Sequence, residues 1–168
     1  AFHTNTVLGE SIDLIADIAS EFGDARFSVE LLWKAGMYAD EKHTKKVLPE
    51  HVRAVKAETY SVGTETKLKD LKRHQLLTLL AITKRLQKEG TAYANTGEVE
   101  KTYAITCEEY QEEVRAHTMF WNYLKELEQS GFIKLKPSGK GQIGSSQFIS
   151  LPDIPAEILR NKLEELLA

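Results

Sequence analysis

Residues 116–151 read AHTMFWNYLKELEQSGFIKLKPSGKGQIGSSQFISL, and this stretch decides the fold. Phe120, Trp121, Leu124 and Leu127 recur at helical spacing, which predicts a helix from about Ala116 to Ser130 with that side in a core. Gly131 stops it. Phe132–Leu135 and Gln147–Leu151 read as two strands. Between them, Lys136–Ser146 carries three glycines and one proline, the composition of a hairpin tip. Upstream, Leu76, Leu77, Leu79, Leu80, Ile82 and Leu86 make one strongly apolar helix ending near Gly90. Thr96 is placed to cap the next helix, with Glu98 and Val99 in its first turn. Three helices followed by a glycine-tipped hairpin is the order of a winged helix-turn-helix. Downstream, Pro155–Leu167 is predicted as a short amphipathic helix packing back through Ile158, Leu159, Leu163 and Leu166.

The N-terminal part has a different rhythm. Val7, Leu8, Ile12, Ile15, Ile18, Ala19 and Phe22 step by threes and fours up to Gly23. Asp24 can cap a second helix whose apolar stripe is Phe27, Leu31, Leu32, Ala35 and Tyr38. The polar run Asp40–Lys46 breaks the pattern, and Pro49 suits the first turn of a third helix burying Val52, Val55 and Ala57. Thr59–Thr66, polar with one glycine, is the natural junction. The fold class expected is mostly α: a three-helix bundle over residues 1–62, then a winged-helix domain with a C-terminal helix over 63–168.

Of the 168 residues, 42% are hydrophobic and 28% charged, which excludes a wholly disordered chain. Cys107 is the single cysteine, so there is neither a disulfide framework nor a cysteine-rich zinc site, and a structural role is expected for it. That usage suits a reducing compartment, and a cytoplasmic location is expected. His3, His43, His51, His74 and His117 lack metal-ligand spacing, so no metal is expected. No Ser/His/Asp or Cys/His set can be assembled. No apolar run approaches the ~18–20 residues of a membrane span, and the first residues lack a signal-peptide pattern. The opening reads as the inside of an element, so the chain is expected to be a fragment.

The net charge is −3. Residues 1–69 hold nine Lys/Arg against eleven Asp/Glu, residues 70–150 eleven against ten, and residues 151–168 two against four. A general basic field is therefore missing, and any nucleic-acid binding must rest on local charge.

Two motifs carry a resemblance. Phe22-Gly23-Asp24-Ala25-Arg26, with Val29-Glu30-Leu31-Leu32 and Ala35-Gly36 after it, resembles the sensor-2 stretch in the lid of archaeal ORC/Cdc-type replication initiators, members of the AAA+ ATPases. The second runs from Thr96-Gly97-Glu98-Val99 through Tyr123-Leu124-Lys125-Glu126-Leu127-Glu128 and Gly131-Phe132-Ile133 to the glycine-rich hairpin. It resembles the C-terminal winged-helix domain of the same family, and the Pro49-Glu50-His51-Val52 helix lies between the two as the family's lid would have it. The resemblance covers essentially the whole chain. It implies that Arg26 senses nucleotide phosphates, a task for which a planar guanidinium fork is suited. Read from spacing alone, Arg26 is equally a surface arginine paired with Glu30. The chain carries no Gly-x-x-x-x-Gly-Lys-Ser/Thr loop and no acidic Walker B strand. No catalysis and no cofactor are expected here, and ATP or ADP with magnesium would belong to an ATPase core in the parent chain.

The resemblance further implies double-stranded origin DNA as a partner and a nucleoid-associated place, with a replicative helicase or other initiator paralogues besides, for a monomeric fragment. A recognition helix sets residues near its N-terminus against base edges, which here selects Arg115, His117, Thr118, Asn122 and Lys125. Asn122 can bond adenine bidentately, while His117 and Thr118 suit phosphates. Met119 stands where family members often carry a strong phosphate donor. In the wing, Lys134, Lys136, Ser138, Gly139, Lys140, Gly141, Gln142, Gly144, Ser145 and Ser146 are the candidates, with Lys140 at the tip where arginine is frequent in the family. Arg115, Lys125, Lys134, Lys136 and Lys140 form the expected cation set, neutralising about three to five phosphates. The acidic run Glu108–Glu113 is expected to face away or to meet a protein. Two rivals stay open: a winged helix used for protein contact, and a dimeric transcriptional repressor reading half-sites about one helical turn apart.

Overall fold

In the computed structural model, which describes residues 6–20, 25–57, 63–137, 147–152 and 154–168, the N-terminal helices are α1 (Gly9–Ser20), α2 (Ala25–Glu41) and α3 (Pro49–Ala57). Their core is Leu14, Ile15 and Ile18 from α1, Leu31, Ala35 and Ala39 from α2, and Val52 and Val55 from α3, closed by Val47. Phe27, Leu32 and Tyr38 are partly buried against it. Ile15, Ile18 and Ala19 of α1 are buried as expected, but Ile12 is 52% exposed and Ser11 and Leu14 take the buried side instead. The Ser11 hydroxyl donates to the Val47 carbonyl at 2.9 Å. That bond removes the cost of burying the hydroxyl. Phe22, Gly23 and Asp24 lie outside the described residues. In α3 the buried side also takes Arg53 and Lys56, while Ala57 is half-buried.

The C-terminal elements are α4 (Gly63–Lys69), α5 (Arg73–Glu89), β1 (Ala94–Asn95), α6 (Thr96–Glu109), α7 (His117–Gln129), β2 (Lys134–Pro137), β3 (Gln147–Ser150) and α8 (Ala156–Leu167). The chain's second core forms around α5, whose Leu76, Leu77, Leu79, Leu80, Ala81, Ile82 and Leu86 are all buried. A helix apolar on nearly every side must be surrounded, and α6, α7 and α8 pack around it. Gly90, at φ 62°, ends α5 in the left-handed conformation that glycine adopts without strain.

Two boundaries and one buried face differ from expectation. Asn95, not Thr96, caps α6, its side-chain oxygen accepting from the Gly97 N–H at 2.9 Å. Thr96 is buried instead, and its hydroxyl accepts from the Gln147 N–H at 3.2 Å, tying the start of α6 to the hairpin. Phe132 and Ile133 precede β2 and fill the core, because the Phe132 N–H closes on the Leu127 carbonyl at 3.0 Å and completes the turn after α7. In α8 the buried side is Leu159, Leu163 and Leu167, with Ile158 and Leu166 turned outward. The sheet has order β1-β3-β2, all antiparallel, with Lys136 opposite Phe148 and Ala94 opposite Ile149.

A polar seam joins the two cores. Arg53, 2% exposed, donates from Nε to the Leu151 carbonyl (3.0 Å), from Nη2 to the Ala92 carbonyl (2.9 Å) and from Nη1 to Glu50 (2.9 Å). The second Glu50 oxygen accepts the Ala156 N–H at 2.6 Å, so one side-chain pair of α3 satisfies three backbone groups of the C-terminal part. Glu10 of α1 accepts the Ala92 N–H at 2.8 Å. Asp17 of α1 accepts the Tyr93 hydroxyl at 2.6 Å and pairs with Lys136 of β2 at 3.0 Å. Burial, then the Asp17 carboxylate, pushes the Tyr93 phenol well above its ordinary pKa, so it stays a donor.

Candidate nucleic-acid interface

The sequence of α7 makes a two-sided helix. Phe120, Tyr123, Leu124 and Leu127 are buried, which leaves His117, Thr118, Met119, Asn122 and Lys125 exposed. Thr118, Asn122 and Lys125 follow one another by four and three residues and therefore share one outward face. Among the described residues none of these three side chains has a hydrogen-bond or ionic partner. Just before the helix, Arg115 donates from Nε to Nε2 of His74 at 3.0 Å. Its side chain is thereby anchored at one nitrogen, and the residue remains exposed beside the α7 N-terminus.

His117 is engaged differently from expectation. Its Nε2 accepts the Trp121 indole N–H at 2.9 Å, so its proton sits on Nδ1, 2.7 Å from a Glu100 oxygen. Both ring nitrogens are thus committed within the protein and neither offers itself to a phosphate. Trp121 is only partly buried, and with His117, Glu100, Phe120, Asn95 and Gly97 it lines a cleft of about 190 Å³. Two acidic side chains of α7 are also used internally. Glu126 accepts from Gln75 at 2.6 Å, and Glu128 accepts the Leu135 N–H at 2.9 Å, fixing the base of the wing to α7.

The hairpin arms are β2 and β3. Lys136, expected on DNA, instead pairs with Asp17 and lies 5.4 Å from the Tyr93 ring centroid. Alternation along the strand puts Lys134 on that same face. Ser138, Gly139, Lys140, Gly141, Gln142, Gly144, Ser145 and Ser146 lie outside the described residues. In the acidic run, Glu109 pairs with Lys84 and Glu112 with Arg73, both on α5. Cys107 is fully buried, and burial raises its thiol pKa, as suits a structural residue.

Arg26 is the second residue of α2 and exposed. Glu30, which spacing offered as its partner, pairs with Lys34 at 2.8 Å. Sequence reasoning missed Arg53 and His74 as organising residues. The available signal was a charged or polar side chain on an otherwise apolar helical stripe. Among the described residues, no cluster of His, Cys, Asp or Glu could hold a metal, and no helix is long and apolar enough to cross a membrane.

Comparison with known proteins gives this geometry a family. Residues 1–57 match the Cdc6 AAA+ ATPase-type lid domain, and residues 66–161 match the CDC6 C-terminal winged helix domain. The chain is 33% identical to the ORC1-type DNA replication protein 2 of Sulfurisphaera tokodaii, over 96% of this chain and 40% of that protein. It therefore spans well under half the length of that relative. The crystal structure of Cdc6p from Pyrobaculum aerophilum superposes with a TM-score of 0.83 at 28% identity, over 98% of this chain and 44% of that one. The Aeropyrum pernix ORC1 protein in complex with DNA superposes with a TM-score of 0.56 at 26% identity, over 97% of this chain and 42% of that one. With both of its parts matched in order, the chain belongs to the ORC/Cdc6 family of replication initiators and carries that family's lid and C-terminal winged-helix domains.

Proposed function

We propose that this chain binds double-stranded DNA in replication initiation, with the outward face of α7 in the major groove and the hairpin tip on the backbone beside it. The observation that carries this reading is the α7 face itself. Thr118, Asn122 and Lys125 point outward with no partner among the described residues, and Arg115 stands anchored at the helix start. An exposed, unpaired amide on such a helix suits bidentate contact with adenine, while Arg115 and Lys125 suit phosphates. A relative of this fold has been solved in complex with DNA. The division is placed near residue 62, with Arg26 on the lid side serving nucleotide sensing by an ATPase core in the parent chain.

Two variants separate the modules. Lys140→Ala is expected to weaken binding to every duplex by a similar factor, about three- to fivefold, as loss of a phosphate contact does. Anisotropy titrations against several unrelated duplexes measure this. A change in which sequence is preferred would make the tip a base reader. Arg26→Ala is expected to leave duplex affinity within about twofold of the parent, since a lid arginine reaches no DNA phosphate in this reading. An equal loss in both variants would show that the lid itself touches DNA. Sedimentation is expected to give a monomer, against the dimer a half-site repressor needs.

A further inference from the structure

We infer that the buried His74 imidazole positions Arg115 for a DNA phosphate and releases it on protonation. This rests on the duplex-binding reading of α7.

His74 lies on α5 directly behind the start of α7, only 8% exposed, with its ring stacked 5.9 Å from that of Tyr123. An arginine Nε only donates, so the bond from Arg115 requires a lone pair on Nε2 of His74. The single ring proton then sits on Nδ1 and is donated to the Tyr103 hydroxyl, 2.8 Å away. Tyr103 is itself fixed, fully buried with its ring packed against Phe120 of α7 at 5.4 Å between centroids. One neutral imidazole, held in this tautomer by Tyr103, therefore anchors the Arg115 side chain from below. Arg115 meets solvent with its guanidinium already oriented, so less side-chain freedom is lost when a phosphate arrives.

A second proton cannot be added without breaking this arrangement. It would place an Nε2–H against the Arg115 Nε–H and two like charges about 3 Å apart. Glu112 offers the alternative acceptor, with Oε2 3.9 Å from His74 Nε2. Its other oxygen is held by Arg73, whose guanidinium also faces the site. Tyr103, Tyr123 and Cys107 complete the surroundings. Burial raises the pKa values of Tyr103 and Cys107, so both stay neutral across the range in question. Burial first and the Arg115 charge second lower the His74 pKa from its ordinary 6.5, with Glu112 opposing them. The anchored state is thus fully present at neutral pH and is lost as pH falls below that value.

The test is duplex affinity of the 168-residue chain and three variants at constant ionic strength, from about pH 7.5 to about pH 5. Arg115→Ala is expected to bind about five- to tenfold more weakly than the parent at neutral pH, with the gap closing in acid. In His74→Gln the amide oxygen can accept from Arg115 and the amide nitrogen can donate to Tyr103, without titrating. This variant is expected to match the parent at neutral pH and to exceed it in acid. His74→Leu, lacking an acceptor, is expected to bind like Arg115→Ala. Thermal unfolding identifies a variant that has lost its fold, in which case His74→Gln carries the test. A His74→Gln profile parallel to the parent's, or an Arg115→Ala deficit constant at every pH, would overturn the inference and leave the duplex reading intact. Absence of duplex binding by the parent chain would remove both.

Discussion

Arg53→Met is expected to lower the stability of the chain by about 3 kcal/mol, more than any surface substitution proposed for DNA contact. Its guanidinium is nearly fully buried and spends each of its three nitrogens on a different partner. Removing it leaves the Leu151 and Ala92 carbonyls without their donor, and each unsatisfied buried group costs about 1–3 kcal/mol. Glu50 keeps the Ala156 N–H and is about one-third exposed, so water relieves part of its loss. Arg53→Lys keeps the charge but not the planar fork, and one ammonium on a flexible stem cannot meet all three acceptors in these directions. It is expected to recover less than half of the deficit. Urea unfolding measures both, with the midpoint of Arg53→Met falling by about 1 M or more. A methionine variant within about 0.5 kcal/mol of the parent would show that the seam contributes nothing to holding the two parts together.

The contrast between Arg53 and α5 shows which parts of the fold are legible in the sequence. The Leu76–Leu86 run, the outward and inward sides of α7 and the two hairpin arms follow from periodicity and glycine placement, and each is where expected to within a residue or two. Periodicity is a local property, and these elements are decided locally. Arg53, by contrast, bonds a residue 39 positions away and another 98 away. No local pattern marks such partners. The same holds for Ser11, whose bond to Val47 lets it take a buried place while Ile12 turns outward, and for β1, two residues long and present because β3 lies beside it. The candidate interface divides in the same way. Arg115, Thr118, Asn122 and Lys125 are exposed as helical spacing requires. The diversion of His117 to Glu100 on α6, and of Lys136 to Asp17, depends on elements brought alongside by folding, whereas the bond from Trp121 to His117 is an i, i+4 contact within α7.

That diversion changes the electrostatics expected of the interface. With Lys136 committed to Asp17, and Lys134 on the same face of the strand, the cation set expected on DNA narrows to Arg115, Lys125 and Lys140. About three phosphates are then expected to be neutralised, where up to five were expected from sequence. The chain as a whole is acidic, at −3, so no diffuse attraction compensates. The salt dependence of affinity reports this number, because each neutralised phosphate releases condensed counterions.

The decisive measurement is therefore duplex affinity of the 168-residue chain titrated across salt, from about 50 to about 200 mM. A plot of log affinity against log salt is predicted to have a slope of about −2.7, a loss of roughly 40-fold over that range. A flat line would contradict the account, since a helix and wing that touch no phosphates do not grip a double helix.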